Sequence, residues 1–194
     1  MRLVVVGTSG SGKTTMAKAL SAALGIPRIE LDAINWQPGW RDIAIQEPEE
    51  FFRRVAEAAA DEAWVIDGNY TKSREAHWPR ATAFVWMDTE RWEVMRRVIW
   101  RSFSRAVTKE ELWPGSGNKE LFRKWLDKGH PIRWAWDNWA MIRERYSTMF
   151  ANRTFEGRPV YRVGNAREGR LLIARLAAER AAEALPIQAT AAIL

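Results

Sequence analysis

The chain has 194 residues, of which 47% are hydrophobic and 28% charged, and its formal net charge is +6. This length suggests one domain, or one domain with an insertion, that can bury a complete core. With no cysteine and two histidines, the sequence excludes disulfides, a thiolate nucleophile and cysteine-based zinc sites. No apolar run reaches the ~18 residues that a membrane span needs, so we expect a cytoplasmic protein without a membrane partner.

Apolar runs and helical spacing predict an alternation of strands and helices. In chain order they are strand 2–6, helix 14–24, strand 28–31, helix 47–60, strand 63–67, strand 81–87, helix 89–107, helix 119–127, helix 133–150, strand 158–164 and helix 166–184. We expect Asp88 or Thr89 to cap the helix at 89–107. The alternation predicts a three-layer α/β/α sandwich with a parallel five-stranded sheet. We assign residues 1–185 to one domain with a helical insertion at about 101–131, and 186–194 to a flexible tail.

A glycine-rich motif, "GTSGSGKT", spans residues 7–14 and fits the pattern G-x-x-x-x-G-K-[ST]. It lies between a predicted strand and a predicted helix, which is the context of a phosphate-binding loop. In such loops the lysine, here Lys13, reaches the β- and γ-phosphates, and the hydroxyl of Thr14 is a ligand of Mg²⁺. We therefore predict ATP and Mg²⁺ as cofactors, with ATP against GTP left open. The residues predicted to bind the nucleotide in this segment are Gly7, Ser9, Gly10, Ser11, Gly12, Lys13, Thr14 and Thr15.

Two acids, Asp67 and Asp88, end buried strands and compete for the second position in the magnesium shell. Gly68 follows Asp67 and allows a ligand to approach the backbone closely, which favours Asp67. We also place Asp67 and Gly68 beside the acceptor. No acid follows Asp67 where many ATPase motors carry a water-activating glutamate, and no Asn-Lys-x-Asp guanine motif is present. These features favour phosphoryl transfer over hydrolysis.

Three arginines, Arg97, Arg101 and Arg105, recur every four residues and therefore share one helical face. Like charges on one face repel each other, and an anion bound between them would stabilise the arrangement. The alternative is a solvated basic face. Because the helix belongs to a chain with a phosphate loop, we predict that Arg97 and Arg101 contact the nucleotide.

The segment "IELDAINWQPGW", residues 29–40, follows the second predicted strand. Ligands of open α/β sheets bind at the carboxyl ends of the strands, which places this segment at the expected acceptor site. Asp32 either contacts the acceptor hydroxyl, as hydrogen-bond acceptor or base, or only caps the strand end. We interpret Trp36 as a wall of the acceptor pocket and Trp40 as packing of its hinge.

The order of the phosphate loop, "LD", "IDGNY", "FVWMD" and an arginine pair resembles the adenylate kinase superfamily of nucleoside and nucleotide kinases. The resemblance implies a P-loop NTPase fold of the adenylate/shikimate kinase type, with a mobile lid after the arginine pair. It implies that Arg97 stacks on adenine and that Arg101 contacts the transferred phosphate. It also implies that Arg143 or Arg145, in "IRERY", returns from the lid side toward the substrate.

One departure from this family concerns the acceptor. Adenylate kinases carry an arginine soon after Asp-Gly, whereas this chain reads "DGNYTKSR" with Thr71 at that place. Lys72 or Arg74 would stand in for it. The departure argues against AMP as the acceptor.

A closer likeness is carried by "LDAINWQPGW", "WVIDGNY" and "HPIRWAW". These segments are similar to a bacterial branch called topology-modulation, or FlaR-like, proteins. The sequence analysis thus predicts an ATP-dependent phosphotransferase acting on an unidentified small-molecule acceptor, with Lys13, Arg101 and Asp32 as catalytic residues. The alternatives are a nucleotide-dependent regulatory ATPase affecting DNA topology, for which nucleic acid is a possible but not favoured partner, and a binding module without turnover.

Overall fold

The computed structural model describes residues 1–120, 125, 127 and 129–184. The strands of this part are β1 (Arg2–Gly7), β2 (Arg28–Glu30), β3 (Trp36–Gln37), β4 (Arg41–Asp42), β5 (Trp64–Asp67), β6 (Ala83–Met87), β7 (Thr154–Phe155) and β8 (Arg158–Val163). Its α-helices are α1 (Lys13–Leu24), α2 (Leu31–Asn35), α3 (Ile43–Gln46), α4 (Pro48–Ala58), α5 (Arg74–His77), α6 (Arg91–Thr108), α7 (Pro131–Met149) and α8 (Ala166–Ala184). The helix between β1 and β2 and the long helices after β6 therefore lie where the sequence predicts them.

The main sheet has the strand order β2-β5-β1-β6-β8-β7. Its first five strands are parallel and correspond to the five predicted strands. The predicted count of five is wrong by one, because the two-residue strand β7 pairs antiparallel with β8 at the edge. Two residues are too few to show a period of two in the sequence, so the pattern could not reveal β7. A separate hairpin pairs β3 with β4.

Two apolar clusters, one on each face of the sheet, make the three layers. Alternate residues of β1 enter different clusters, because successive side chains of a strand point to opposite faces. Val4 and Val6 join the cluster that contains residues of α4 and α7, namely Phe51, Val55, Ile142 and Tyr146. Leu3 and Val5 join the cluster that contains residues of α1 and α8, namely Met16, Leu20, Leu172 and Leu176. The continuous apolar runs of β1, β5 and β6 reflect this burial on both sides.

The start of α6 differs from the prediction. The residue that precedes its first turn is Glu90, so neither Asp88 nor Thr89 caps the helix. Both side chains are used in tertiary contacts instead. The Thr89 hydroxyl donates to the carbonyl of Ser11 in the phosphate loop at 2.9 Å. Asp88 accepts hydrogen bonds from Arg162. These contacts fix the strand-to-helix turn against the sheet.

The segment between α6 and α7 begins as a loop. Glu111 and Lys119 form an isolated antiparallel bridge around the predicted loop at 113–118. The helix predicted at 119–127 is wrong at Lys119, which forms this bridge, and most of the range lies outside the described residues. The predicted tail at 186–194 also lies outside them. Among the described residues, no helix combines the length and the apolar character needed to cross a bilayer.

Candidate active site

The phosphate loop turns from β1 into α1 through glycines whose backbone conformation other residues rarely adopt. Gly10 and Gly12 have φ values of 81° and 98°, in the left-handed region that favours glycine. A Cβ added to Gly10 would lie 2.9 Å from the carbonyl oxygen of Val94 in α6. The loop therefore packs directly on α6 and leads into the N-terminus of α1. A helix N-terminus preceded by such a loop is a ready-made site for a polyphosphate.

Polar groups of the loop are left without partners. The hydroxyls of Thr8 and Ser11 are buried and have no hydrogen-bond partner among the described residues. The ammonium of Lys13 bonds to the carbonyl of Thr8 at 2.9 Å. Burial lowers the pKa of Lys13 to about 8, against the opposing charges of Asp32 and Asp67. A bound anion would offset the cost of burying this cation.

Thr14 and Asp67 fit a magnesium ion. The Thr14 hydroxyl donates to Oδ2 of Asp67 at 2.8 Å, and Nη1 of Arg28 lies 3.2 Å from Oδ1. Burial raises the pKa of Asp67, while the hydrogen bond from Thr14 lowers it. Hydroxyl and carboxylate oxygens are the ligands that Mg²⁺ prefers, with the rest of its shell supplied by phosphates and water. No group of three or more metal-binding side chains occurs within the described ranges.

Asp88, the rival of Asp67, is engaged elsewhere. Nε of Arg143 lies 2.8 Å from its Oδ1, and Arg162 pairs with its other oxygen. Asp88 does not border the cavity that contains the phosphate loop. Its carboxylate therefore has a structural partner set that Asp67 lacks.

The arginines of α6 extend from the helix to the phosphate loop. Nη1 of Arg97 donates to the carbonyl of Ser11 at 3.2 Å, and Nη2 of Arg101 lies 3.4 Å from the hydroxyl of Ser9. Nε of Arg101 is buried and has no partner in the described part of the chain. Burial lowers the pKa of Arg101, and the neighbouring Arg105 lowers it further. Arg101 thus brings a buried cation to the loop.

Asp32 stands in α2, directly after β2, with its carboxylate held in place. The Tyr70 hydroxyl donates to Oδ1 of Asp32 at 2.7 Å. Burial raises the pKa of Tyr70, and the charge of Asp32 raises it further, so the phenol remains a proton donor. Gly68 makes the approach possible, because a Cβ there would lie 2.7 Å from Cβ of Leu31. The turn after β5 is therefore pressed against α2.

A tryptophan cluster, consisting of Trp36, Trp40 and Trp113, forms an aromatic wall. The ring centroids of Trp36 and Trp40 are 5.6 Å apart, and those of Trp40 and Trp113 are 6.1 Å apart, both pairs nearly perpendicular. Asn118 joins the hairpin to the loop after α6. Its Oδ1 accepts from the backbone N–H of Trp40 at 2.9 Å, and its Nδ2 donates to the carbonyl of Gln37 at 3.0 Å. Trp40 both packs this joint and borders the cavity.

These groups surround one cavity of about 660 Å³, a size suited to a small ligand. The predicted site residues that line it are Ser9, Gly10, Gly12, Lys13, Thr14, Thr15, Asp32, Trp36, Asp67, Gly68, Arg97 and Arg101. The phosphate side and the acceptor side therefore open on a common space.

Comparisons with known proteins match this architecture. A family model described as "ATPase family associated with various cellular activities (AAA)" matches residues 3–67, from β1 through the phosphate loop to Asp67. A shikimate kinase from Symbiobacterium thermophilum is 39% identical over 104 residues, 46% of this chain and 59% of that relative. The chain therefore spans less than two thirds of the length of this relative.

Solved structures share the fold across nearly the whole chain. A shikimate kinase from Acinetobacter baumannii in complex with shikimate has a TM-score of 0.55 and 18% identity, with 95% of each chain covered. A gluconokinase from Sinorhizobium meliloti has a TM-score of 0.51 and 20% identity, with 95% of this chain and 97% of that chain covered. The chain therefore has the fold of these kinases. The closer likeness to topology-modulation proteins stays a prediction from the sequence.

Four of the predicted site residues lie away from the cavity. Gly7 and Ser11 are part of the loop's frame, and Ser11 is fully buried. Arg74 stacks with its guanidinium 4.2 Å from the ring centroid of Trp78. Arg143 is paired with Asp88, as described above. Local aromatic and ionic partners hold both side chains outside the cavity, and the substrate contacts of Arg74 and Arg143 stay predictions.

Sequence analysis also missed residues of the site. Tyr70 is one of them, although it follows the motif "IDGN" directly. The missed residues that border the cavity include Lys18, Glu30, Trp113, Lys119, Glu120 and His130. Glu30 ends β2 and could have been found from its strand-end position. The others come from the segment after α6, from the start of α7 or from the outer face of α1, where no motif marks them.

Proposed function

We propose that the chain is an ATP-dependent phosphotransferase that moves the γ-phosphoryl group to a hydroxyl of a small molecule. The observation that carries the proposal is the common cavity, which joins the phosphate loop to Asp32. The two sides are electrostatically coupled, since the charge of Asp32 raises the pKa of Lys13 against the effect of burial. An acceptor hydroxyl beside Asp32 would thus meet a phosphoryl group held by Lys13.

On the nucleotide side, the chain supplies positive charge to a triphosphate. Lys13 and Arg101 stabilise charge on the phosphates, and Arg97 reinforces the loop through Ser11. Thr14 and Asp67 would hold Mg²⁺, which when bound neutralises charge on the β- and γ-phosphates. In phosphoryl transfer most of the catalysis comes from such positioning and charge stabilisation.

On the acceptor side, the hydroxyl of Tyr70 orients the carboxylate of Asp32 through a hydrogen bond. The acceptor oxygen forms a bond to the γ-phosphorus while the bond from that phosphorus to the β–γ bridging oxygen breaks. The hydroxyl proton passes to Asp32, and the electron pair leaves with ADP. Asp32 first accepts a hydrogen bond from the acceptor hydroxyl and then takes its proton, so the same carboxylate fills both roles.

Exclusion of water from the cavity favours transfer over hydrolysis. Asn118 ties the loop after α6 to the hairpin that carries Trp36, so this loop covers the acceptor side as a lid. A lid of this kind shields a reacting phosphoryl group from water. We include in the proposal that residues 1–185 form a single catalytic domain with this lid, and that its partners are a nucleotide and a small-molecule acceptor.

The test is ADP release from ATP in the presence of a panel of hydroxylated acceptors. We expect at least one acceptor to raise ADP release more than 10-fold above the acceptor-free rate. Lys13→Met should remove this stimulation. Arg175→Met, which removes a cation from an exposed ion pair on α8, is the matched control and should leave it unchanged. Equal ADP release with and without every acceptor would refute the proposal.

A further inference from the structure

The acceptor end of the cavity carries an excess of negative charge. Two carboxylates border the cavity there, those of Glu30 and Asp32, next to Asp67 of the proposed magnesium site. A single guanidinium, that of Arg28, is paired with Glu30 at 2.7 Å and with Asp67 at 3.2 Å. Arg28 is thereby occupied, and Asp32 has a neutral partner in Tyr70. A negatively charged acceptor would be repelled at this end.

Three of the cations that border the cavity contact the phosphate loop. Lys13, Arg97 and Arg101 contact the phosphate loop through Thr8, Ser11 and Ser9. The two other arginines that the sequence assigned to the acceptor are engaged by Trp78 and Asp88, outside the cavity. Three further cations, Lys18, Arg105 and Lys119, also border the cavity. The three that contact the phosphate loop therefore face the triphosphate, while Glu30 and Asp32 stand on the acceptor side.

Aromatic faces stand beside these carboxylates. Nε1 of Trp113 points its proton at Oε1 of Glu30 across 3.4 Å, which joins the tryptophan cluster to the acidic group. The indoles of Trp36, Trp40 and Trp113 are only partly buried and border the cavity. An indole face packs against apolar ring faces and attracts cations, while carboxylates accept hydrogen bonds from hydroxyl and ammonium groups.

We propose that the acceptor is a hydroxylated ring of the carbohydrate type that carries no negative charge, and that an amino-substituted ring binds best. This inference rests on the proposed phosphotransferase function and specifies its substrate class. The ring would stack on the tryptophan cluster, and its hydroxyl or ammonium groups would bond to Glu30 and Asp32. Carboxylate-bearing acceptors such as shikimate, and nucleoside monophosphates, would be disfavoured by the same charges.

The test compares three classes of hydroxylated ring as phosphoryl acceptors. The classes are amino-substituted rings such as glucosamine and aminocyclitols, neutral rings such as glucose and inositol, and carboxylates such as glucuronate and shikimate. The readout is kcat/KM from acceptor-dependent ADP release. We expect an amino-substituted ring to be the best acceptor and a neutral ring the next, with carboxylates of the same skeleton at least 10-fold poorer. A carboxylate or a nucleoside monophosphate as the best acceptor would overturn the inference while leaving the phosphotransferase function standing.

The remaining outcome separates the two proposals. If no compound of any class raises ADP release, the phosphotransferase function fails, and the acceptor assignment fails with it. A carboxylate acceptor whose use is abolished by Lys119→Met would also overturn the assignment, since Lys119 is a cation of the cavity on the lid side.

Variants of the acidic group test the same assignment from the protein's side. Glu30→Gln should lower kcat/KM for an amino-substituted acceptor at least 10-fold and reduce it less for a neutral one, with the KM for ATP unchanged. Trp36→Ala should raise the KM of both acceptors. Glu62→Gln, at a highly exposed acid, is the matched control and should change neither. Equal losses for charged and neutral acceptors in Glu30→Gln would contradict a role in recognising positive charge.

Discussion

At the scale of single residues, three aspartates of similar sequence context have different roles. Asp32, Asp67 and Asp88 each stand at or just after the end of a strand. Their neighbours distinguish them: a tyrosine hydroxyl holds Asp32, the phosphate-loop threonine contacts Asp67, and two arginines pair with Asp88. Chemical role therefore follows from tertiary partners rather than from the strand-end position.

The first prediction separates Asp67 from Asp88. Asp67→Asn should lower kcat by about 100-fold or more, because a magnesium-supporting carboxylate contributes several kcal/mol to charge stabilisation. Asp88→Asn should keep kcat within about 3-fold but lower the free energy of unfolding by about 1–3 kcal/mol, since it removes the carboxylate charge that pairs with Arg143 and Arg162. Steady-state kinetics and urea unfolding of both variants provide the measurement. A larger kinetic loss in Asp88→Asn would reverse the assignment.

The second prediction concerns Tyr70 as a positioning residue. Tyr70→Phe keeps the ring that packs on Phe51 and removes only the hydroxyl that orients Asp32. Loss of a hydrogen bond to a charged group should lower kcat by about 10-fold, with the KM for ATP unchanged. In an Asp32→Asn background the same change should have no further effect, because the two residues act as one unit. Additive losses would show that Tyr70 acts independently of Asp32.

At the scale of elements, the hairpin β3–β4 and the loop after α6 behave as one wall of the acceptor site. Their contact depends on the two hydrogen bonds of Asn118 and on the edge-to-face packing of Trp40 with Trp113. The hairpin alone has two residues per strand, which is too short for independent stability. The loop after α6 therefore stabilises the hairpin in this wall.

The third prediction follows from this joint. Asn118→Ala should raise the KM of the acceptor by about 5–10-fold, which corresponds to about 1–1.5 kcal/mol for the lost hydrogen bonds. The KM for ATP should stay within 2-fold, because the phosphate loop is untouched. Asn138→Ala, which removes a side-chain bond to Trp134 within α7, is the matched control and should change neither constant. A selective rise in the KM for ATP would contradict this division.

The fourth prediction concerns α5, the short helix that follows the turn after β5. Its last residue, His77, is buried, and its Nδ1 donates to the carbonyl of Ser73 at 2.8 Å. Burial lowers the pKa of His77 from 6.5 to about 4, against the effect of that hydrogen bond. Between these values the unfolded chain binds the proton and the folded chain does not, so stability is lost as the pH falls from 6.5 toward 4.

The measurement is urea unfolding at pH 7 and at pH 4.5 for the wild type and for His77→Asn. Between pH 6.5 and pH 4 the titration of His77 lowers the free energy of unfolding by up to about 3 kcal/mol. The free energy of unfolding of His77→Asn should therefore fall by that much less than the wild type's. Identical acid losses in the two proteins would show that His77 is not the titrating group.

At the scale of the whole molecule, strand order assembles the site. The order β2-β5-β1 places the ends of three parallel strands side by side, which brings Asp32, Asp67 and the phosphate loop to one edge. The sequence predicted the five parallel strands and most of the nucleotide side, because the phosphate loop and the strand runs are local patterns. Tyr70 and Asn118 escaped prediction because their roles depend on contacts across 38 and 78 residues of chain.

Ionic and aromatic partners explain why Arg74 and Arg143 lie outside the cavity. Arg74 and Arg143 carry the right charge and lie near the expected positions in the chain, yet each has a stronger local partner in Trp78 or Asp88. Such pairings are decided by the packing of α5 and α7 on the sheet, and spacing along the chain does not reveal them.

The central claim is that the cavity transfers a phosphoryl group to an acceptor rather than to water. The most direct measurement follows ATP labelled in its γ-phosphoryl group during turnover with the best acceptor and compares labelled phosphate ester, inorganic phosphate and ADP. We predict one labelled ester per ADP, and loss of both in Lys13→Met. Label that appears in inorganic phosphate at the rate of ADP formation, with no ester, would contradict the account.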